Sequence, residues 1–364
     1  MKNVSTPLVT KLTQWIRHHQ VLAFFLMAYA IMWPGAILIY FVFPGNPVVE
    51  ILSAPLMVFS PALSSMLISG IAQPHPKYER SRSQWITFFL SWLFASIVLI
   101  LYSWKVQKMD LGAGIIIINC LFALFPAWVL SSAYARVPGI RMQFSTLLKP
   151  RGSLLWYLVI FLVFPGIPLL SMWIPRGLGG GVQFYLKNLG FEGAAIVLVL
   201  EFLRGFLITG GINEESGWRG FALPRLQGRH SVITAALIVG ILWAFWHLPY
   251  DLAPINRAPS LAVFLEWRLF WRVLFGVILA WLYNRTNGSL LAPALFHPAM
   301  NAFGNSFSPA PVTKVLFIVL AILAIVSDRM WKKLPSNHPA VYQEPALENS
   351  LSVTAVDLPA QESI

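Results

Sequence analysis

Apolar residues along this chain gather into runs of about 20, the length at which a helix spans the hydrocarbon core of a bilayer. The runs fall at 21–43, 48–72, 85–102, 111–133, 154–174, 193–226, 231–248, 261–283, 289–305 and 312–326, with short polar turns between them. Proline and glycine mark many of those turns (Pro44-Gly45, Pro74, Pro138-Gly139, Pro175, Pro254). Pro126, Pro165 and Pro168 fall inside runs and predict kinks that neighbouring helices repair. The pattern predicts an all-α, polytopic helical membrane protein of about ten spans (eight to ten) with a polar site buried between helices. The sixth run is too long for one straight crossing, which predicts a tilt or a break near Gly210-Gly211. No repeat with a period of about 20 to 50 residues is present. From Leu334 onward Pro, Ser, Asn and scattered acids replace the apolar residues, which predicts a disordered tail. The chain thus divides into a cytoplasmic N-terminal segment (1–20), N-terminal transmembrane helices (21–192), a transmembrane core that carries the chemistry (193–306), a final transmembrane helix (307–333) and a cytoplasmic tail (334–364).

Composition supports the membrane class. The chain is 57% hydrophobic and 11% charged, against about 25% charged in soluble domains. A net charge of +12 raises nucleic acid as a partner, but basic cytoplasmic loops produce the same excess in a membrane chain; nucleic acid is excluded and the lipid bilayer takes its place. Alternate connections carry Lys77, Arg80, Arg82; Arg136, Arg141, Lys149, Arg151; Arg225, Arg229; Arg285; and Arg329, Lys332, Lys333. By the positive-inside rule both termini are expected in the cytoplasm. The single cysteine, Cys120, allows no intramolecular disulfide.

Against this apolar background the polar residues of three segments stand out. Glu214, Glu215 and Arg219 follow Gly210-Gly211 in the sixth run, Trp243 and His247 end the seventh, and His297 and Asn301 lie in the ninth. Glu215 and Arg219, Trp243 and His247, and His297 and Asn301 are each four apart, so each pair shares a helix face. At 1.5 Å per residue Glu214 lies ~18 Å and His247 ~24 Å from the inner turn at 227–230, and His297 and Asn301 lie ~12–18 Å from the turn at Asn287-Gly288. All fall at similar depth. Ionisable groups inside a span are costly unless paired or hydrated, and mark functional sites. Glu201 and Arg204 read as mutual neutralisers and Asn119 as an interhelical hydrogen-bonder. Glu266, Arg268 and Arg272 read as long side chains snorkelling at the outer end of the eighth span. His18, His19, His75 and His230 belong to loops or ends.

The three motifs together resemble the CAAX prenyl endopeptidase and bacteriocin-processing (CPBP, or Abi) family of intramembrane proteases, whose pattern is Glu-Glu-x-x-x-Arg, aromatic-x-x-x-His and His-x-x-x-Asn. Here they read Glu214-Glu215-Ser216-Gly217-Trp218-Arg219, Trp243 with His247, and His297 with Asn301; Trp243 stands where the pattern usually has Phe. The resemblance covers about 193–305. It implies that Glu214 with His247 activates water and that His297 and Asn301 stabilise an oxyanion, on a hydrophobic or lipid-modified peptide substrate. Those roles suit the groups: a carboxylate can serve as general base, and two neighbouring donors can meet the oxygen that becomes negative when water attacks an amide. Glu215 is expected to pair with Arg219 and hold the helix shape. The cofactor is left open between none and one divalent metal such as zinc, for which Glu214, His247 and His297 would supply three ligands. A catalytically silent immunity or scaffold protein would be expected to have lost a motif residue, and none is lost. A transporter using the buried carboxylates would favour an internal repeat.

Overall fold

A computed structural model of the chain describes residues 7–73, 81–178, 183–184, 186–256, 259–308 and 311–344. Helices occupy all ten apolar runs. They are α2 (Gln20–Ile37), α3 (Pro47–Ala72), α4 (Arg82–Lys105), the pair α5 (Ala113–Phe122) and α6 (Leu124–Ser131), α8 (Leu154–Met172), α9 (Gly190–Ile208) continued by α10 (Ile212–Gly217) and α11 (Leu223–Gln227), α12 (Val232–Trp246), α15 (Leu269–Arg285), α16 (Leu291–Ser306) and α17 (Pro311–Ser327). Among the described residues five segments are both long and apolar enough to cross a membrane: Gln20–Val42, Pro47–Ala72, Arg82–Lys105, Ala113–Tyr134 and Lys187–Gln227. Leu154–Val163, Val232–Trp246 and Pro311–Ser327 are shorter apolar helices. The protein is an all-α, multi-pass membrane protein. The two-residue strands β1 (Gln183–Phe184) and β2 (Phe307–Ser308) pair antiparallel and do not change that class.

Of the remaining helices, α1 (Pro7–His18) and α7 (Pro138–Leu148) lie outside the apolar runs, α13 (Leu248–Asp251) extends the seventh and α14 (Leu261–Val263) opens the eighth. Helix starts follow the local chemistry. Asn46 Oδ1 accepts from the Val48 and Val49 N–H groups with Pro47 in the first turn, and Ser231 Oγ accepts from the Thr234 N–H; both satisfy donors that a helix leaves unbonded. The crossing at 111–133 breaks at Ala123, and Pro126 sits in the first turn of α6, where its missing N–H costs little.

The core lies around α10. This short helix is buried from Ile212 to Gly217 and packs against α3, α6, α9 and α16. Its approach to α3 requires glycine, because a Cβ on Gly217 would lie 2.6 Å from Pro61 Cβ and 2.7 Å from the Pro61 carbonyl oxygen. Away from this centre the outer helices turn large apolar side chains outward, as at Leu90 (64% exposed) and Leu162 (67%). A bilayer solvates such faces.

The expectation of a disordered tail from Leu334 is corrected for residues 334–344. Ala340 is fully buried, its carbonyl accepts from Gln227 Nε2 at 2.8 Å, and the Tyr342 N–H donates to the Pro224 carbonyl at 3.1 Å. The Tyr342 ring lies 3.7 Å from the Arg225 guanidinium. A polar stretch that cannot build its own core can still order itself against one already formed, here α11. Residues 1–6, His75 and 345–364 lie outside the described residues.

Candidate active site

The long sixth run breaks where the glycine pair predicts. Helix α9 ends at Ile208, and Gly210 takes a φ of +113°, a conformation open to glycine. Asn213 fastens the break: its Oδ1 accepts from the Gly210 N–H at 2.9 Å, and its Nδ2 donates to the Val58 carbonyl at 2.8 Å. A Cβ on Gly210 would lie 2.6 Å from the His297 ring, so the break also makes room for that imidazole. Beyond it the chain resumes as α10 with both glutamates turned inward.

Glu215 and Arg219 pair as the four-residue spacing predicts, Oε1 to NH1 at 2.9 Å, with Arg219 1% and Glu215 0% exposed. The same oxygen receives His297 Nδ1 at 2.7 Å, a contact the sequence did not announce. Helix geometry widens to i→i+5 turns over Trp218–Ala222, carrying Arg219; such turns concentrate at functional sites. Gln143 on α7 braces this segment, donating to the Ser216 carbonyl at 2.7 Å and to Ser65 Oγ at 2.8 Å.

Glu214 points to a different partner. Its Oε2 accepts from Trp243 Nε1 at 2.7 Å. The Trp243 carbonyl meets His247 Nδ1 at 3.0 Å; a carbonyl only accepts, so Nδ1 carries the proton and a neutral His247 presents a lone pair at Nε2. Trp243 stands edge-on to both histidines, with ring centroids 5.7 Å from His247 and 5.2 Å from His297. Trp246 abuts His247 from the other side at 4.6 Å and is itself tied to Ser60 Oγ at 3.1 Å. Asn301 Nδ2 donates to the Thr209 carbonyl at 3.0 Å. Glu214, Trp243, His247, His297 and Asn301 line one cavity of about 850 Å³, and Met32, Met57, Trp271 and Phe275 are among its apolar walls.

The zinc arrangement is not assembled. Among the described residues no group of three or more His, Cys, Asp or Glu side chains converges as metal ligands. Glu214 Oε2 and His297 Nδ1 are already bonded to Trp243 and Glu215.

The other polar residues divide. Glu201 and Arg204 pair at 3.4 Å, Glu201 also accepts from Tyr102 OH at 2.8 Å, and both line the cavity. Asn119 bonds Ser103 Oγ across α4 and α5 at 3.1 Å. Snorkelling is corrected for Arg268 and Arg272: both guanidinium groups bind the buried carboxylate of Asp251, because an acid from another segment offers a shorter route to neutrality than the membrane surface. Glu266 is exposed. Asp251, Asn213 and Gln143 are the residues sequence reasoning passed over; Asp251 alone carried a signal, standing four residues after His247.

Fold and site together define a multi-pass helical membrane protein with a Glu, His, His and Asn set facing one internal cavity. Residues 195–303, from α9 into α16, match the family described as Type II CAAX prenyl endopeptidase Rce1-like. The chain is also 29% identical over 184 residues to the CAAX prenyl protease 2 of Methanococcus maripaludis, a match that covers 48% of this chain and 66% of that protein, just under two thirds of its length. This segment holds all three motifs, and both similarities agree with the resemblance to the CPBP family that those motifs carry.

Proposed function

We propose that the protein is an intramembrane endopeptidase that hydrolyses peptide bonds of hydrophobic or lipid-modified peptides. The observation that carries this is the meeting of Glu214, His247, His297 and Asn301, from three separate helical segments, on one cavity with largely apolar walls. Its volume of about 850 Å³ falls within the usual range of ligand sites, roughly 300–1,000 Å³.

In this mechanism His247 Nε2 accepts a hydrogen bond from a water molecule, and the free oxygen of Glu214 takes a proton from the same water. The water oxygen attacks the carbonyl carbon of the scissile amide. The resulting oxyanion accepts hydrogen bonds from Asn301 Nδ2 and from Nε2–H of His297, whose ring is held by Glu215 at Nδ1. Glu214 then returns the proton to the amide nitrogen, the C–N bond breaks, and the acid and amine products leave. The base, its histidine partner and the two oxyanion donors use all four groups without a metal.

Purified protein in detergent, given internally quenched hydrophobic peptides with and without a prenyl group, is expected to cut them and to keep cutting after exhaustive chelation. Glu214→Gln is expected to lower kcat by roughly 10²–10⁴, and Asn301→Ala by roughly 10²–10³. Full activity of Glu214→Gln would refute the assignment. Stoichiometric zinc lost together with activity would replace it with a metal-dependent route. Proteomic comparison of membranes holding wild-type or Glu214→Ala protein would name the substrates. The excess of basic residues in alternate loops supports a reading with both termini in the cytoplasm: in a Cys120→Ser background, an impermeant thiol reagent outside intact cells should label a cysteine at 108 and spare one at 350.

A further inference from the structure

A second cavity, of about 170 Å³, opens between α7, α11, α15 and the tail residues 339–343, and no residue lines both it and the first. Arg151, Arg225 and Tyr283 share its wall, and Tyr342 lines it from the tail. Arg225 is bonded only to neutral groups. Its Nε donates to Gln20 Oε1 at 3.0 Å and its NH1 to the Phe221 carbonyl at 3.1 Å, and its guanidinium lies 3.7 Å from the Phe221 ring and 3.7 Å from that of Tyr342. Arg151 is exposed. Among the described residues neither arginine has an acid within ion-pair reach; Glu344, whose field reaches Arg225, is itself exposed.

Tyr283 supplies the third group. It is 6% exposed, and among the described residues its hydroxyl has no hydrogen-bond partner. Both arginines lie close enough to that hydroxyl to act on it electrostatically. A buried hydroxyl without a partner is costly, and two guanidinium groups without a counterion repel each other. One anion relieves both deficits. Donors that converge from a loop, from α11 and from α15 suit an acceptor with oxygens in several directions, which a tetrahedral phosphate has and a planar carboxylate lacks. The volume, below the roughly 300–1,000 Å³ of sites that enclose whole small ligands, suits a single such group. Location agrees, because the wall comes from the end of the bundle where the basic connections at 136–151 and 225–229 lie, and basic pockets between helices at a membrane surface meet lipid headgroups.

We propose that Arg151, Arg225 and Tyr283 bind a phosphate group, carried by an anionic lipid headgroup or free in solution. Each guanidinium donates to a phosphate oxygen, and the Tyr283 hydroxyl donates to another. The bound group joins the loop after α7 to α11, α15 and the tail, so occupancy stabilises the docked residues 339–343. Nothing in this site depends on the peptidase assignment, since none of its residues lines the cavity of Glu214 and His247.

The test melts delipidated full-length protein in neutral detergent while titrating short-chain phosphatidylglycerol, short-chain phosphatidylcholine, inorganic phosphate, or sodium chloride at matched ionic strength. A saturable rise in Tm is expected with an anionic phosphate and not with chloride or phosphatidylcholine. Arg151→Gln alters an exposed side chain and Tyr283→Phe removes only a hydroxyl, so both proteins are expected to fold. Each should raise the half-saturating concentration roughly 10- to 100-fold, the loss of one hydrogen bond to a charged group. A rise with phosphatidylglycerol alone supports the site with a lipid as the source; an equal rise with inorganic phosphate supports it with a free phosphate. No saturable rise with either, a rise matched by chloride or phosphatidylcholine, or half-saturation unchanged in both variants overturns the proposal.

Discussion

Trp243 orients Glu214 and a histidine at once: its indole Nε1 donates to Glu214 Oε2 at 2.7 Å, while its carbonyl accepts from His247 Nδ1 at 3.0 Å. Phenylalanine, the more usual residue of this motif, would keep the ring and the carbonyl and lose the donor. Trp243→Phe is therefore expected to leave the fold intact and to lower kcat roughly 10- to 100-fold, the loss of a hydrogen bond to a charged group worth about 1.5–3 kcal/mol. Single-turnover cleavage measures this. A rate equal to wild type would mean that the indole does not position the base.

The two glutamates should separate into stability and chemistry. Glu215→Gln leaves Arg219, 1% exposed, without its counterion and removes the carboxylate from His297 Nδ1. Breaking one side of a buried pair costs about 3–5 kcal/mol. Its Tm in detergent is expected to fall well below that of Glu214→Gln, where an amide oxygen can still accept from Trp243. Equal Tm values would contradict the division.

Gly210→Ala tests the break itself. The residue would have to hold φ at +113° with its methyl 2.6 Å from the His297 ring. Strained backbone of this kind costs about 1–3 kcal/mol, and the displaced imidazole loses its place beside Glu215. Both Tm and cleavage rate are expected to drop, and a variant with normal rate would show that His297 can relocate without loss.

Residues 335–344 should act as a stabilising strap on α11. A chain ended at Leu334 loses the Ala340 and Tyr342 contacts and is expected to melt below one ended at Glu344, which keeps them. The difference should depend on pH. His338 Nδ1 accepts from the Ala340 N–H at 3.1 Å, which requires the neutral ring, and burial lowers the His338 pKa below its ordinary value. Arg285 and Asp328, bonded to each other, are the charged groups sharing its cavity. The unfolded chain takes up this proton first, so the contribution is full above about pH 6.5 and is lost as pH falls below it. Melting of both proteins at pH 7.5 and 5.5 should show the gap narrowing; a constant gap would remove His338 from the account.

The sequence alone determined that the chain is helical and membrane-spanning, because backbone groups in hydrocarbon must bond within their own segment and so declare themselves as long apolar runs. It also placed Glu215 with Arg219 and marked Gly210-Gly211 as the point of a tilt or a break, since four-residue spacing and glycine's freedom act locally. The site's wiring was decided elsewhere. His297 meets Glu215 across 82 residues of sequence, Gln143 reaches Ser216 across 73, and Arg268 and Arg272 find Asp251 on a different helix. Residues 334–344, too polar to fold unaided, dock against α11. Each of these bonds joins segments whose own patterns satisfy their backbones independently, so only the packing of helix against helix settles which polar side chain finds which partner.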